Sequence, residues 1–207
     1  MKKHGALAAL GIVLVLASCA APAPTPTPTP SATATGVRPT PKPTPTATLP
    51  PLAIPQCDEL LPLATAKQMF SKNVELFGQT PAGEFVARIP VPSIPVVLST
   101  ADPARACRWA VPNSDGVFSL VVAGITAAER ATLQAELTAE GFTETTSGEL
   151  TAFELAQPDL GPGGHGTTHV FSRELWIISD NTALAVARPF AAAALEALRA
   201  ENPALDL

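Results

Sequence analysis

The chain has no tyrosine, only two tryptophans, and aromatic residues at 5% of its 207 positions. Domains that process wall sugars stack them on exposed aromatic rings, so this scarcity argues against sugar processing. Both tryptophans, Trp109 and Trp176, lie in apolar segments. We therefore expect them to pack in the core, because large rings bury much apolar area.

Recognisable catalytic motifs are also missing. The sequence has no Gly-x-Ser-x-Gly, Ser-x-x-Lys, Cys-x-x-Cys or phosphate-binding glycine loop. Glu149 with Glu154, or Glu136 with Glu140, would supply the paired carboxylates of glycoside hydrolysis. We expect Glu136 and Glu140 to lie on a solvated helix face instead. The sequence thus predicts no catalytic residue.

Acidic residues are absent from the first part of the chain. All 18 Asp and Glu lie in residues 56–207 together with nine Lys or Arg, a net charge of 9 − 18 = −9. Such a charge repels phosphate backbones and anionic lipid headgroups. It therefore argues against a nucleic-acid partner and against this region lying on a membrane.

The N-terminal segment has the parts of a secretory signal. Lys2 and Lys3 precede an apolar stretch over residues 5–17, which ends in Leu-Ala-Ser-Cys at residues 16–19. A helix of that length spans about 20 Å, less than the roughly 30 Å of a hydrocarbon core. We predict that residues 1–18 are a signal peptide.

The Leu-Ala-Ser-Cys sequence resembles the lipoprotein box of bacterial lipoproteins. This resemblance implies that Cys19 is acylated and that lipid anchors the protein on the extracellular face of the cell membrane. The alternative is an ordinary secreted protein with a cysteine near its cleavage site.

Proline and threonine dominate the next segment. Twelve of the 23 prolines fall in residues 20–55, several of them alternating with threonine. Proline fixes φ and removes amide donors, so such a segment favours extended polyproline II over a packed core. We predict that residues 19–55 form a disordered stalk below a globular domain at residues 56–207. The threonines are either O-glycosylated or part of an unmodified spacer.

Cysteine parity predicts one disulfide. If lipid occupies Cys19, then Cys57 and Cys107 remain as a pair in an oxidising compartment, where a disulfide persists. The alternative is two buried free thiols.

The pattern of residues 56–207 predicts a single α+β domain: a mostly antiparallel sheet with about three helices on one face. Capping boxes at Thr65 and Thr126 predict two of the helices, and Pro189 at a first helical position predicts the third. The second helix is predicted to end at Gly141. Other predicted elements are a loop or edge segment at 78–104, a hairpin of 107–111 with 117–125 around turn residues at 112–116, and a strand at 142–146 followed by a turn at 147–148 and a strand through Phe153 and Leu155. A loop at 157–166, a strand at 168–179, a turn at Asp180 and Asn181, and a strand at 183–187 complete the prediction.

The histidines of the glycine-rich segment are the candidate metal ligands. His165 and His169, with Asp159 nearby, carry nitrogen and oxygen atoms that suit zinc or copper. The glycines around them predict a flexible, solvent-exposed loop with His169 beginning a strand, and no third strong ligand is evident. We therefore assign no metal and no other cofactor.

A family resemblance rests on the two disulfide cysteines. Cys-Asp-Glu-Leu-Leu from Cys57 with a short helix, and Cys-Arg-Trp from Cys107 opening a hairpin, resemble small lipoproteins of high-GC Gram-positive (actinobacterial) cell envelopes. The resemblance covers most of residues 56–207. It implies the location and the architecture, and it carries no chemistry.

Two function classes remain open. The first is a non-enzymatic binding domain that contacts an envelope protein or a small ligand through the loops at 78–104 and 157–166. The second is an envelope-acting enzyme of unrecognised type, metal-dependent if residues 157–169 form a metal loop.

Overall fold

The computed structural model describes residues 49–160, 164–181 and 183–207. The signal peptide, Cys19 and most of the predicted stalk lie outside these residues. The helices are α1 (Cys57–Leu60), α2 (Leu63–Met69), α3 (Ser93–Thr100), α4 (Ala127–Ala139) and α5 (Leu184–Glu201), with a short 3-10 helix at Ala82–Glu84. The strands are β1 (Glu75–Thr80), β2 (Ala104–Ala110), β3 (Val117–Gly124), β4 (Thr143–Ser147), β5 (Leu150–Gln157), β6 (His165–Ser172) and β7 (Leu175–Asn181).

The strands form one seven-stranded sheet in the order β1-β2-β3-β7-β6-β5-β4. Every neighbouring pair is antiparallel. The sheet thus consists of two meanders, β1 to β3 and β4 to β7, which join where β3 pairs with β7. These findings confirm the α+β class and the antiparallel sheet.

The number and placement of the helices differ from the prediction. The described residues contain five α-helices rather than about three, and they cover both faces of the sheet. One face, which we call the front face, packs against α3 and α4, and the back face packs against α1, α2 and α5. Consecutive apolar residues at 120–123 and 175–178 are typical of strands that are buried on both sides.

Each face has its own apolar core, and each core holds one tryptophan. On the back face, Trp109 stacks on Phe118 and Phe118 stacks on Phe190, with ring centroids 5.1 and 4.2 Å apart. On the front face, Trp176 stacks on Phe171 at 6.0 Å. Both tryptophans are fully buried, which confirms their expected role in the core.

Several local predictions are confirmed. Residues 107–111 and 117–125 form a hairpin as part of β2 and β3. Thr126 caps α4 by accepting from the Glu129 amide at 3.2 Å, and the Glu129 carboxylate accepts from the Thr126 amide at 2.7 Å. Gly141 follows the helix with a φ of 85°, a conformation that glycine adopts at little cost.

The proline-rich segment at 78–104 contains a helix that the prediction missed. Pro95 is the third residue of α3, where proline's missing amide has no intrahelical partner in any case. Glu136 of α4 accepts from the Ser93 amide and hydroxyl at 2.8 and 2.7 Å, so it caps α3. The expectation that Glu136 lies on a solvated face was therefore wrong, whereas Glu140 is exposed.

The predicted extended segment at 168–179 is two strands. A turn at Arg173 and Glu174 separates β6 from β7, and Arg173 takes a φ of 47° without being glycine. No turn-forming residue marks the place, so the apolar pattern concealed it. Arg173 donates to Glu149 at 2.9 Å and to Asp206 at 3.0 Å, contacts that hold this turn in place.

Helices α5 and α2 begin at other residues than predicted. Residues 184–187 belong to α5, not to a strand, so Pro189 is its sixth residue rather than its first. The carbonyl of Ala185, which loses its amide partner at Pro189, belongs to an exposed residue and water can reach it. Thr65 lies inside α2, whose N-cap is Pro62, so the predicted capping box there was wrong.

The predicted loop at 157–166 is shorter than expected. Strand β5 extends to Gln157 and β6 begins at His165, and residues 158–160 form a turn between them. Across the described residues, none of the helices combines the length and the apolar character that a membrane crossing needs.

The predicted disulfide is present. Cys57 at the start of α1 is bonded to Cys107 on the back face of β2, across 50 residues of sequence. The alternative of two free thiols is excluded. The bond ties the start of the globular region to the sheet.

A buried asparagine holds the chain just before α1. Asn202 accepts from the Ala53 amide at 2.7 Å and donates to the carbonyls of Ala53 at 2.8 Å and Leu198 at 2.7 Å. Arg105 donates to the Ile54 carbonyl at 3.3 Å. Ala53 and Ile54, the end of the segment predicted as stalk, are thus fastened to the sheet and to the end of α5.

Replacing this asparagine is expected to destabilise the domain. Asn202→Ala leaves the Ala53 amide and carbonyl without their partner, which should lower the free energy of unfolding by about 1–3 kcal/mol. Urea denaturation of the full chain measures the change. The control is Asn73→Ala, at an exposed asparagine, for which we expect a change within about 0.5 kcal/mol. Equal midpoints for the two variants would contradict the role of Asn202.

Candidate functional site

A cleft of about 450 Å³ opens on the front face of the sheet. It lies where β2 and β7 end and where β3 and β6 begin. Residues 84–86 and 88, from the end of the 3-10 helix towards α3, form one wall, and Leu160 and Gly164 also line the cleft. Both loops that the sequence nominated for binding, 78–104 and 157–166, therefore contribute to one cleft.

Four polar side chains form a row across the floor of this cleft and its edge. Arg108 of β2 lies opposite Ser119 of β3, Ser119 opposite Asp180 of β7, and Asp180 opposite Thr167 of β6. Since residues directly opposite in a sheet project to the same face, all four belong to the front face.

The next row along the same strands is mostly apolar. Ala106, Val121, Ile178 and His169 occupy the corresponding positions two residues further into the front core. On four adjacent strands, the front-face side chains therefore change from polar to mostly apolar between one row and the next. The cleft floor thus presents a few polar groups beside the apolar core, and ligand pockets use such groups to fix the orientation of the ligand.

A hydrogen-bonded group at the floor fixes the position of one carboxylate. His165 Nε2 lies 2.6 Å from Asp180 Oδ1 and 3.2 Å from Thr167 Oγ1. Thr167 donates its hydroxyl proton to the same Oδ1 atom at 2.7 Å. The side chains of His165 and Asp180 are 5% and 11% exposed, so this arrangement is shielded from water. Among the described residues, Oδ2 of Asp180 has no hydrogen-bond partner.

Two arginines in the cleft differ from the others in the domain. Arg88 and Arg108 both line the cleft and are exposed. Within the part of the chain that the structure describes, neither guanidinium group makes a hydrogen bond or an ion pair. The guanidinium groups of the other five arginines of the domain all donate hydrogen bonds; these are Arg105, Arg130, Arg173, Arg188 and Arg199.

The rim of the cleft also carries negative charge. Glu84 and Asp115 line it and are exposed. Neither forms an ion pair with a described residue. Together with Asp180 they place carboxylates and guanidinium groups around one opening, so the cleft is dipolar rather than uniformly charged.

His169 is part of the front core and does not face the cleft opening. It is 1% exposed, and Nδ1 accepts from the Trp176 indole at 3.3 Å. Phe142 packs edge-on against the ring at 5.2 Å. Burial lowers the pKa of His169 to about 3, and the charge of Asp180 opposes this only in part. The imidazole is therefore neutral at physiological pH.

The two candidate metal ligands do not come together. His165 and His169 are four residues apart on one strand, which separates them by about 13 Å. Metal–ligand bonds are about 2 Å long, so one ion does not reach both. Asp159 is exposed in the turn after β5. In residues 49–160, 164–181 and 183–207, no group of three or more His, Cys, Asp or Glu is placed to hold a metal ion.

The exposed loop predicted at His165 was wrong, whereas His169 lies on a strand as predicted. Both histidines are buried in β6, which begins at His165. The strand is covered on both faces. His165, Thr167 and His169 make side-chain hydrogen bonds to β6 or β7, whereas the buried hydroxyls of Thr168 and Ser172 have no partner among the described residues. Glycine content around position 165 had suggested a solvated loop.

The other paired carboxylates are engaged in surface contacts. Glu149 accepts from Arg173 at 2.9 Å, and Glu154 accepts from Arg188 at 2.7 and 2.5 Å. These glutamates lie beside positively charged partners instead of beside each other. Arg188 and Glu154 cross the groove between α5 and β5 on the back face.

Sequence reasoning missed Arg88, Arg108, Ser119, Thr167 and Asp180 as cleft residues. The available signal was that four strands change from apolar to polar residues on the front face near one end. It becomes interpretable only when the register is known, and Asp180 had been assigned to a turn.

Comparisons of the chain with protein-family models, with curated proteins and with solved structures gave no significant match. The function is therefore argued from the cleft itself.

Proposed function

We propose that this protein is a lipoprotein, anchored through Cys19 on the extracellular face of the cell membrane, whose globular domain binds a small ligand without transforming it. The ligand site is the cleft on the front face. The observation that carries the proposal is a cavity whose polar floor and walls hold charged groups without ion-pair partners among the described residues.

The dimensions of the cleft support small-molecule binding. Its volume of about 450 Å³ falls within the roughly 300–1,000 Å³ of typical ligand pockets. Its floor is the sheet, which holds side chains rigidly, and its walls are loops, which vary easily. This combination suits recognition by a stable scaffold.

The location rests on the N-terminal sequence and on the disulfide. A disulfide between Cys57 and Cys107 is typical of proteins that fold outside the cytosol. With these two cysteines paired, Cys19 is the remaining cysteine of the chain.

One observation favours the alternative, an envelope-acting enzyme. An imidazole beside a carboxylate, as in His165 and Asp180, is an arrangement used in general acid–base catalysis. However, the second group that contacts Nε2 is Thr167, whose hydroxyl proton is donated to Asp180. No other hydroxyl or thiol of the described residues bonds to His165, so the arrangement holds no activated nucleophile.

Native mass spectrometry of the detergent-solubilised full chain tests the binding function. We expect a small molecule to co-purify with the wild type and to be absent from Ser119→Phe, whose ring would occupy the cleft floor. Ser147→Phe, at an exposed position of the edge strand β4, is the matched control and should retain the adduct. No adduct on the wild type, or the same adduct on Ser119→Phe, would contradict the proposal.

Fractionation tests the anchor. The wild type should sediment with membranes and incorporate a fatty-acid label, whereas Cys19→Ala should do neither. An unlabelled wild-type chain in the soluble fraction would contradict lipid anchoring.

A further inference from the structure

The chemistry of the cleft narrows the class of ligand, an inference that rests on the proposed binding function. We propose that the ligand is a small zwitterion, with a carboxylate held by Arg88 and Arg108 and an amine held by Asp180.

The anionic end is assigned from the arginines. Guanidinium groups form paired hydrogen bonds with carboxylates, and an arginine whose donors are all free is prepared for such a partner. Arg88 and Arg108 lie on the wall and the floor of the same cleft. No carboxylate of the described residues neutralises either one, although the domain carries twice as many acidic as basic residues.

The cationic end is assigned from Asp180. His165 and Thr167 both bind Oδ1 of this carboxylate, and Oδ2, which has no partner among the described residues, can accept a hydrogen bond from a ligand. His165 and Thr167 also hold the carboxylate in one orientation. Glu84 and Asp115 on the rim add further negative charge that favours an amine and disfavours a second anionic group.

Net charge and spacing agree with a zwitterion. A region with a net charge of −9 repels a purely anionic ligand at long range, whereas a zwitterion carries no net charge. Arg108 and Asp180 are two strands apart, about 10 Å at the backbone. Ser119 lies between them, and its hydroxyl can contact the middle of the ligand.

Calorimetry with the detergent-solubilised full chain tests this assignment with matched probes. The zwitterions are 5-aminopentanoate and the dipeptide alanyl-alanine, and the single-charge analogues are pentanoate and pentylamine. We expect at least one zwitterion to bind, and 5-aminopentanoate to bind about 10-fold or more tightly than either analogue. Equal affinity for 5-aminopentanoate and one analogue, or no binding of either zwitterion at millimolar concentration, overturns the proposal.

Two variants test where the two ends of the ligand bind, and a third variant is their control. Arg108→Gln should weaken the bound zwitterion about 10-fold or more, and Asp180→Asn should abolish the preference over pentanoate while one oxygen remains for His165 and Thr167. Arg199→Gln removes the same charge at an exposed position of α5 and should change nothing. Equal losses for Arg108→Gln and Arg199→Gln would overturn the assignment.

The outcomes separate this proposal from the binding function. An adduct that Ser119→Phe removes, combined with no affinity for either zwitterion, overturns the ligand class and leaves the binding function in place. The absence of any adduct argues against the binding function itself.

Discussion

Removing the disulfide is expected to lower the free energy of unfolding by about 4 kcal/mol, the entropy of closing a loop of this length in the unfolded chain. The bond joins Cys57 to Cys107 across 50 residues. The residues between the two cysteines form α1, α2, β1 and α3 in the folded protein. In the unfolded chain the bond restricts this whole segment, and without the bond the segment gains conformational entropy. Both cysteines are buried, and Cys57→Ala with Cys107→Ala is the variant to measure.

The measurement is urea denaturation of the full chain with and without reductant. Wild type under reducing conditions should unfold at nearly the midpoint of the double alanine variant, whereas the variant should not respond to reductant. The comparison separates loss of the cross-link from the small change in packing that alanine introduces. A wild type that is insensitive to reductant after complete reduction of the bond would contradict the expected effect.

Acidification is expected to destabilise the protein through His169. The pKa of this histidine is lowered from 6.5 in the unfolded chain to about 3 in the folded chain by burial. Between these values the unfolded state binds a proton that the folded state does not, so stability falls as the pH falls from 6.5 towards 3. The loss is about 1.4 kcal/mol per pH unit, or about 3 kcal/mol at pH 4.

His169→Gln isolates this contribution, because glutamine does not titrate and offers an oxygen to the Trp176 indole. The variant should be less stable than wild type at pH 7 and should lose about 3 kcal/mol less between pH 7 and pH 4. All other ionisable groups are present in both proteins, so the difference between the two pH dependences reports on His169. Parallel pH dependences of the two proteins would show that His169 does not set the slope.

Local sequence signals predicted the elements that rest on local interactions. The capping box at Thr126 marks the start of α4, and Gly141 follows its end. The turn residues between β2 and β3, and Gly148 between β4 and β5, end those strands where expected. In each case the deciding contact lies within a few residues, so it is present in the sequence itself.

Contacts between distant residues decided the elements that were missed. Helix α3 is capped by Glu136, 43 residues further along the chain. The turn between β6 and β7 is held by ion pairs of Arg173 with Glu149 and Asp206. The start of α5 carries no side-chain cap at all, and its apolar face is buried on the sheet. The sequence around each of these elements does not indicate which distant residues stabilise it.

The candidate site was likewise predicted only in part, because some of its residues are marked by local signals and others are brought together by the fold. Residue types and loop composition directed attention to 78–104, 157–166 and His165, and the structure places all three at one cleft. The members of the polar row, Arg108, Ser119 and Asp180, come from three strands and become neighbours only through the sheet register.

The amino-acid sequence by itself predicted the disulfide pairing, given an acylated Cys19, together with the α+β class and several elements defined by capping and turn residues, because cysteine parity and local hydrogen bonding need no knowledge of the fold. Only the tertiary structure decided that helices cover both faces of the sheet and that separate polar residues share one cleft. Register and layer packing depend on contacts between residues far apart in the chain, and apolar periodicity within one strand does not specify which strand will lie beside it.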